Sequence, residues 1–288
     1  MNVASVSAGS IQKRILFTLN PCLRWRTVRR QMKVVILCGG LGTRLREETE
    51  FRPKPMVSVG PQPILWHIMK HYARHGHKDF ILCLGYKGEV IKDYFRNFLW
   101  HTHDVTLQMG PQPKIDYHDN EGIEDWTVTL LDTGQETQTG GRLRRAMKHV
   151  PDETFLFTYG DGLSDVDINA SIEFHQQYGA LATITAVKPA GRYGELSLKD
   201  FTITGFHEKP HQEDAYINGG FMVFNRGIIN YLSGDECVLE QEPMRALSAS
   251  GQLKAFCHDD FWQCMDTYRE QQLLENMWSS GKAPWKTW

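Results

Sequence analysis

Three glycines, an arginine and a lysine follow the apolar run 33–38, and their spacing suits phosphate binding. The set comprises Gly39, Gly40, Gly42, Arg44 and Lys54, the last enclosed between two prolines. Because glycine has no side chain above its amide, such a turn can point backbone N–H groups at an anion. Guanidinium and ammonium groups both bind phosphate oxygens. The stretch therefore predicts a phosphate-binding loop.

Two widespread phosphate loops do not fit this stretch. The dinucleotide-binding pattern needs a third glycine where Leu45 stands, and the ATPase loop needs Gly-Lys-Ser/Thr, which is absent here. Glycine spacing alone leaves one alternative open, an ordinary glycine-rich turn after a strand.

Two aspartates are candidates for holding a divalent cation. Asp161 lies between two glycines after the apolar run 154–159, where open α/β sheets bind their ligands. Asp266 stands at the beginning of a helix-like segment that ends near Trp278. Carboxylate oxygens are suitable ligands for Mg²⁺. An Asp-Gly turn at Asp161 and a helix N-cap at Asp266 are the structural alternatives.

Further loops carry polar side chains beside glycines. A second glycine-rich turn opens a basic helix and offers backbone N–H groups to a base or ribose through Thr139, Gly140 and Arg142. Later loops could hydrogen-bond sugar hydroxyls and one phosphate, and their candidates are Tyr193, Gly194, Glu208, Lys209, Asn218 and Gly219. Taken singly, these later loops mean little.

Strands and helices alternate in the segments that must position these residues. Strand-like runs occur at 33–38, 79–84, 126–131, 154–159 and 181–187, and helix-like runs at 63–75, 90–99 and 168–178. The alternation predicts βαβ units and a parallel sheet in an α/β fold. Residues 100–126 receive no assignment, because Pro111 and Pro113 interrupt them.

One predicted helix carries three histidines spaced four residues apart. His67, His71 and His75 would share a face and could resemble a metal site. The stretch has no glutamate as in the H-E-x-x-H pattern and no evident distant ligand. A solvated or half-buried helix face is the favoured interpretation.

Composition is that of an ordinary globular protein. The 288 residues are 41% hydrophobic and 23% charged with a formal net charge of -2, which indicates neither a nucleic-acid nor a membrane partner. Six scattered cysteines without a C-x-x-C pair predict reduced thiols in a cytoplasmic protein. Residues 1–31 contain six basic residues and no acidic one. We expect a disordered extension there, with an organellar transit peptide as the alternative, and a single domain over 32–288.

The chain resembles the sugar-1-phosphate nucleotidyltransferase family. The resemblance is carried by Gly39-Gly40-Leu41-Gly42-Thr43-Arg44-Leu45, Pro53-Lys54-Pro55, Thr139-Gly140-Gly141-Arg142-Leu143, Thr158-Tyr159-Gly160-Asp161-Gly162 and the closing Lys282-Ala283-Pro284-Trp285-Lys286-Thr287-Trp288. It covers residues 32 to 288 without a large gap and is greatest to members that use CTP and glucose 1-phosphate. Departures are Cys38, where the family usually has alanine, the divergent stretch 109–125 and the N-terminal extension.

The resemblance implies a Rossmann-like, three-layer α/β fold with a mixed, mostly parallel sheet, and a homo-oligomer, hexameric in this family. It implies Mg²⁺-dependent synthesis of CDP-glucose and pyrophosphate from CTP and glucose 1-phosphate. UTP, dTTP or GTP as the nucleotide, and a non-catalytic sugar-nucleotide-binding subunit, remain alternatives. Catalysis is expected of Arg44, Lys54 and Asp161, and metal binding of Asp161 and Asp266. Nucleotide binding is expected of Leu37, Gly39, Gly40, Leu41, Gly42, Thr43, Arg44, Lys54, Thr139, Gly140, Arg142 and Gly160.

Overall fold

The computed structural model describes residues 31–118, 124–188, 195–199, 202–207 and 216–288, with the backbone alone described in the strands 195–199 and 202–207. By their contacts, residues 31–288 group into one compact unit. Residues 1–30 lie outside the described part of the chain, so the disordered extension stays a prediction.

The strands run through the whole described chain. In chain order they are β1 (Lys33–Leu37), β2 (Ser58–Val59), β3 (Gln62–Pro63), β4 (Asp79–Leu84), β5 (Val105–Gln108), β6 (Lys114–Tyr117), β7 (Thr127–Asp132), β8 (Thr154–Tyr159), β9 (Gly162–Ser164), β10 (Ala182–Val187), β11 (Glu195–Lys199), β12 (Thr202–His207), β13 (Ile217–Asn218), β14 (Met222–Asn225), β15 (Leu253–His258) and β16 (Trp262–Cys264).

Helices connect most of the long strands. They are α1 (Arg46–Thr49), α2 (Ile64–Arg74), α3 (Gly88–Arg96), α4 (Phe98–Thr102), α5 (Thr139–Ala146), α6 (Ile168–Tyr178), α7 (Glu242–Ala249) and α8 (Tyr268–Ser279), with 3-10 turns at Thr43–Leu45, Lys54–Met56, Met147–His149 and Arg226–Tyr231. Among the described helices, none combines the length and apolar character that spanning a membrane requires.

The central sheet is mixed and mostly parallel, as the resemblance implied. Its strand order is β13-β10-β14-β8-β1-β4-β7, and β15 also pairs with β10. Strands β8, β1, β4 and β7 are parallel neighbours, whereas β14 pairs antiparallel with both β8 and β10. The carboxyl ends of β1, β4 and β8 therefore meet at one edge of the sheet, where the predicted functional loops leave.

Apolar side chains cover both faces of this sheet. Along β1, Val34 and Ile36 belong to one buried cluster and Val35 and Leu37 to the other. The first cluster includes apolar residues of α2 and α8, and the second includes residues of α5 and α7. Helices thus lie on both sides of the sheet, and the three-layer α/β prediction is confirmed.

The unassigned stretch contains a hairpin. Strands β5 and β6 pair antiparallel around the segment that holds Pro111 and Pro113, and the predicted helix 90–99 is divided into α3 and α4 at Asn97. The two prolines lie in the connecting turn, outside the strands, where their missing N–H groups cost no ladder hydrogen bond.

Candidate active site

A cleft of about 440 Å³ opens at the carboxyl ends of the central strands. Most of the predicted nucleotide and metal residues line it, namely Leu37, Gly39, Gly40, Leu41, Gly42, Thr43, Arg44, Lys54, Thr139, Arg142, Gly160, Asp161 and Asp266. The topology thus brings together residues that are up to 229 positions apart in the sequence.

The glycine loop is shaped by close packing on its inner side. Gly42 has φ +62°, and a Cβ there would lie 2.7 Å from Cγ2 of Thr49 and 3.2 Å from Cβ of Lys54. Thr49 Oγ1 donates to the carbonyl of Gly42 at 3.1 Å. Among the described residues, the amides from Gly39 to Gly42 donate to no protein acceptor. The loop therefore has amides available for an anion, and phosphate binding there stays a prediction.

Lys54 is the centre of the charged part of the cleft. Its Nζ lies 2.5 Å from Oδ2 of Asp161 and 2.5 Å from Oδ1 of Asp266. Arg44 NH1 lies 2.9 Å from the other oxygen of Asp266. The two carboxylates therefore lie on either side of one ammonium group, beside the glycine loop.

These contacts fix the charge states of the groups in the cleft. Burial favours the neutral amine of Lys54, but the charges and hydrogen bonds of Asp161 and Asp266 outweigh it and raise the pKa of Lys54. Burial also acts to raise the pKa of Asp266, yet Lys54 and then Arg44 hold that pKa below its usual value. Lys54 is an ammonium and Asp266 a carboxylate at neutral pH.

A two-stranded ribbon carries both aspartates. Strands β9 and β16 pair antiparallel, and the amide of Met265 donates to the carbonyl of Asp161 at 2.8 Å. The N-cap of α8 is Thr267, whose hydroxyl accepts from the amide of Glu270 in a capping box. The N-cap alternative for Asp266 is therefore wrong, which leaves its carboxylate to face the cleft.

Arg142 supports the cleft wall from within the protein. Its side chain is buried, and its guanidinium donates to the carbonyls of Leu84, Gly39 and Gln135 and to the hydroxyl of Thr133. Burial lowers the pKa of Arg142. Arg142 therefore joins the glycine loop to the loop that precedes α5.

The second glycine-rich turn differs from its prediction. The amides of Gly140 and Gly141 donate to the carbonyl of Cys237, and that of Gln138 donates to the carbonyl of Asp235. These three N–H groups are bound within the protein, so the amide of Gly140 is not available to a base or ribose. Nucleotide binding by Thr139, which lines the cleft, stays a prediction. Close packing explains the glycine at position 140, since a Cβ there would lie 2.6 Å from Sγ of Cys237.

The predicted sugar residues are only partly described. Tyr193, Gly194, Glu208 and Lys209 lie outside the described residues. Asn218 Nδ2 donates to Tyr159 OH at 3.2 Å, which connects Asn218 to the cleft wall. The carbonyl of Gly219 accepts from Nε1 of Trp262 in the ribbon at 2.7 Å.

Sequence reasoning missed several lining residues. They are Cys38, Pro55, Gln135, Glu136, Thr137, Gln138 and Tyr159. Most lie next to predicted residues in the sequence, so proximity to the glycine motifs was the available signal.

The helical histidines pack within the protein. His67 Nε2 donates to the carbonyl of Val59 at 2.8 Å, and His71 Nε2 donates to the carbonyl of Val166 at 2.9 Å. Burial lowers the pKa of His67 to about 4, and burial together with the charge of His75 lowers that of His71 to about 3. Both are neutral, hydrogen-bonded core side chains.

Known proteins resemble this chain over nearly its whole length. Residues 33–267 match the family described as nucleotidyl transferase. The chain is 53% identical over 258 residues to the glucose-1-phosphate cytidylyltransferase of Salmonella typhimurium, covering 89% of this chain and 100% of the relative. It is 42% identical over 265 residues to a probable glucose-1-phosphate cytidylyltransferase of Bacillus subtilis, with the same two coverages.

Solved structures resemble the fold. The crystal structure of HddC from Yersinia pseudotuberculosis has a TM-score of 0.63 at 24% identity, covering 86% of this chain and 100% of that one. This likeness shows the fold alone, whereas the sequence matches identify the family. The chain belongs to the nucleotidyl transferase family, in the group of the glucose-1-phosphate cytidylyltransferases.

Proposed function

We propose that this enzyme transfers CMP from CTP to glucose 1-phosphate and releases CDP-glucose and pyrophosphate. The observation that carries the reaction class is the position of Lys54 between two carboxylates beside a loop with available amides. That arrangement suits a triphosphate and a divalent cation. The choice of CTP and glucose 1-phosphate rests on the relatives, which are named for that reaction.

The reaction needs alignment and charge neutralisation more than proton transfer. An oxygen of the sugar phosphate attacks the α-phosphorus of CTP in line and forms the new P–O bond, and the bond to pyrophosphate breaks. The nucleophile is already an anion, so it requires no general base. We assign the β and γ phosphates to the glycine loop and Arg44, and the α-phosphate to Lys54. Lys209 is assigned to the sugar phosphate from the resemblance.

Asp161 and Asp266 suit a divalent cation by their chemistry. Both offer carboxylate oxygens as ligands, and both are paired with cationic side chains, so the site attracts positive charge. We propose that they hold Mg²⁺, which would neutralise charge on the triphosphate. Lys54 would then exchange a carboxylate partner for a phosphate oxygen.

Pyrophosphate release tests this function. The enzyme is incubated with glucose 1-phosphate and Mg²⁺ against CTP, UTP, dTTP, GTP and ATP in parallel. Release with CTP alone supports the proposal, whereas release with a different nucleotide moves the assignment to that nucleotide. Release with none of the five would contradict nucleotidyl transfer to glucose 1-phosphate.

We also propose a homo-oligomer, a hexamer by resemblance, in the cytoplasm. The β5–β6 hairpin and the adjoining α4 expose apolar side chains in one continuous segment, namely Leu99, Trp100, Leu107, Met109, Ile115 and Tyr117. Clustered exposed apolar residues are typical of protein interfaces. The free thiols at Cys38, Cys83, Cys237, Cys257 and Cys264 are consistent with a reducing compartment.

A further inference from the structure

One carboxylate joins two walls of the cleft. Glu240 Oε1 accepts a hydrogen bond from Tyr159 OH at 2.6 Å, and its Oε2 accepts one from Thr139 Oγ1 at 2.6 Å. Both hydroxyl residues line the cleft. Thr139 is the first residue of α5, and Tyr159 ends β8 two residues before Asp161. Glu240 therefore connects the loop near the predicted nucleotide site to the strand that leads to the metal site.

The hydrogen-bond network extends from Tyr159 to Asn218, a residue predicted to bind the sugar phosphate. Tyr159 OH accepts from Asn218 Nδ2 at 3.2 Å, and Asn218 Oδ1 accepts from the amide of Gly220 at 3.0 Å. At the other end, Thr139 Oγ1 accepts from the amide of Leu239 at 2.9 Å. Each hydroxyl thus accepts from one neighbour and donates to Glu240.

A carboxylate is the group that fixes this direction. It only accepts hydrogen bonds, so both hydroxyl protons must point towards Glu240, and their oxygens stay free to accept. An amide at the same place would present an N–H₂ group to one of the two hydroxyls. That hydroxyl could no longer donate its proton to residue 240, so its O–H group would have to turn to another acceptor and the order of the hydrogen bonds would change.

The segment before Glu240 is held firmly against α5. The carbonyls of Asp235 and Cys237 accept from amides of the first turn of that helix and the residue before it. Arg145 makes a bidentate ion pair with Asp235, with distances of 3.0 and 2.6 Å. Glu240 consequently has a fixed position relative to Thr139, and it can transmit that position to Tyr159.

We propose that Glu240 is a positioning residue that couples the nucleotide side of the cleft to the sugar side. The inference rests on the proposed function, because it takes Thr139 and Asn218 as parts of the two substrate sites. Glu240 fixes the orientation of the Tyr159 and Thr139 hydroxyl groups, so that the phosphate of glucose 1-phosphate is aligned with the α-phosphorus of CTP for the in-line attack. The side chain of Glu240 is exposed, so its role in stability is small.

Four variants test this proposal, namely Glu240→Gln, Tyr159→Phe, the double variant and the control Glu242→Gln. Glu242 is an exposed acid in the first turn of α7, two residues further on. Steady-state kinetics give kcat and the KM values for CTP and glucose 1-phosphate, and thermal unfolding gives Tm. We expect Glu240→Gln to raise both KM values by at least about fivefold, as for loss of a hydrogen bond to a charged group. Tm should change by no more than about 2 °C.

The double variant separates coupling from independent effects. If Glu240 acts through Tyr159, the double variant has a KM for glucose 1-phosphate close to that of Tyr159→Phe. Its fold-change in KM is then well below the product of the fold-changes of the two single variants. Three results would overturn the proposal. The first is a Glu240→Gln variant with KM values within twofold of wild type, and the second is a double variant whose fold-change in KM equals the product of the two single fold-changes. The third is an equal rise in KM for Glu242→Gln. Failure of wild type to use CTP contradicts the proposed function instead, and the ratios are then measured with whichever nucleotide supports turnover.

Discussion

Lys54 has two carboxylate partners, and a phosphate must compete with both for its ammonium group. Asp161 and Asp266 would repel each other without a cation between them, so the ammonium group of Lys54 stabilises the pair of carboxylates. A divalent cation bound by the same carboxylates would remove the need for that pairing. We therefore expect Lys54 to contact phosphate when metal and nucleotide bind together.

Replacing Lys54 with alanine should remove most of the activity. We expect kcat/KM for CTP to fall by about 100-fold, roughly 2.7 kcal/mol, because a positioned charge on the reacting phosphate is lost. Pyrophosphate release under saturating glucose 1-phosphate measures the fall. Lys33→Ala is the matched control, since it breaks a 2.6 Å lysine–aspartate pair with Asp79 at the opposite ends of the strands. A loss within about tenfold for Lys54→Ala would contradict the assigned role.

Side-chain chemistry was predictable from the sequence where the residues stood beside glycines or prolines. Lys54 and Asp161 lie in such short motifs, and both are in the cleft. The occupied amide of Gly140 was not predictable, because its acceptor Cys237 is distant in the chain and has no motif. Glu240 was missed for the same reason, since tertiary structure alone brings it to Thr139 and Tyr159.

The glycine loop is an element whose shape depends on one backbone conformation. At Gly42, φ is +62° and the space for a side chain is filled by Thr49 and Lys54. We expect Gly42→Ala to weaken CTP binding at least about tenfold, because alanine must move either the loop or Lys54. Calorimetric titration of CTP without glucose 1-phosphate measures the binding.

Gly76→Ala is the control for backbone strain. Gly76 has φ +92° after α2, and a Cβ there would have open space around it. Both variants should lose stability, by about 1 kcal/mol or more, since alanine disfavours positive φ. Only Gly42→Ala should lose CTP affinity. Equal CTP affinity in the two variants would show that the packing of the loop does not control nucleotide binding.

Long buried elements were predictable and short exposed ones were not. The strands β4 and β8 and the helix α6 have the predicted bounds, because their apolar runs are continuous or helical in period. Strand β15 was missed because five of its six residues are half-buried or exposed, and β5 and β6 are largely exposed. Strand β15 pairs with β10, which is distant in the chain, and a local pattern does not reveal such a partner, whereas β5 and β6 pair with each other across the segment that holds Pro111 and Pro113.

The whole molecule should associate through the hairpin. We expect Leu107→Glu with Ile115→Glu to lower the mass measured by light scattering, because charge on an apolar interface opposes its burial. Tyr178→Glu, an exposed aromatic on α6, is the control and should leave the mass unchanged. A monomeric wild type, or equal masses for the hairpin variant and wild type, would contradict the proposed surface.

Stability of the whole domain should fall on the acid side of neutrality. The folded pKa of His67 is about 4, below the ordinary value of 6.5, so the unfolded chain binds more protons between these pH values. Its contribution is full above pH 6.5 and decreases as pH falls towards 4. Urea unfolding at pH 7.5 and pH 5 should differ by about 2 kcal/mol from His67 alone. His67→Gln should reduce the pH dependence by that amount, and an unchanged slope would contradict a neutral buried His67.

The path of one oxygen tests the central claim most directly. Glucose 1-phosphate labelled with ¹⁸O on its non-bridging phosphate oxygens is reacted with unlabelled CTP and Mg²⁺, and the products are followed by ³¹P NMR. Attack of the sugar phosphate on the α-phosphorus predicts CDP-glucose with label in its bridging oxygen and on the sugar-side phosphate, and unlabelled pyrophosphate. Label in the pyrophosphate, or no CDP-glucose, would contradict the proposed transfer.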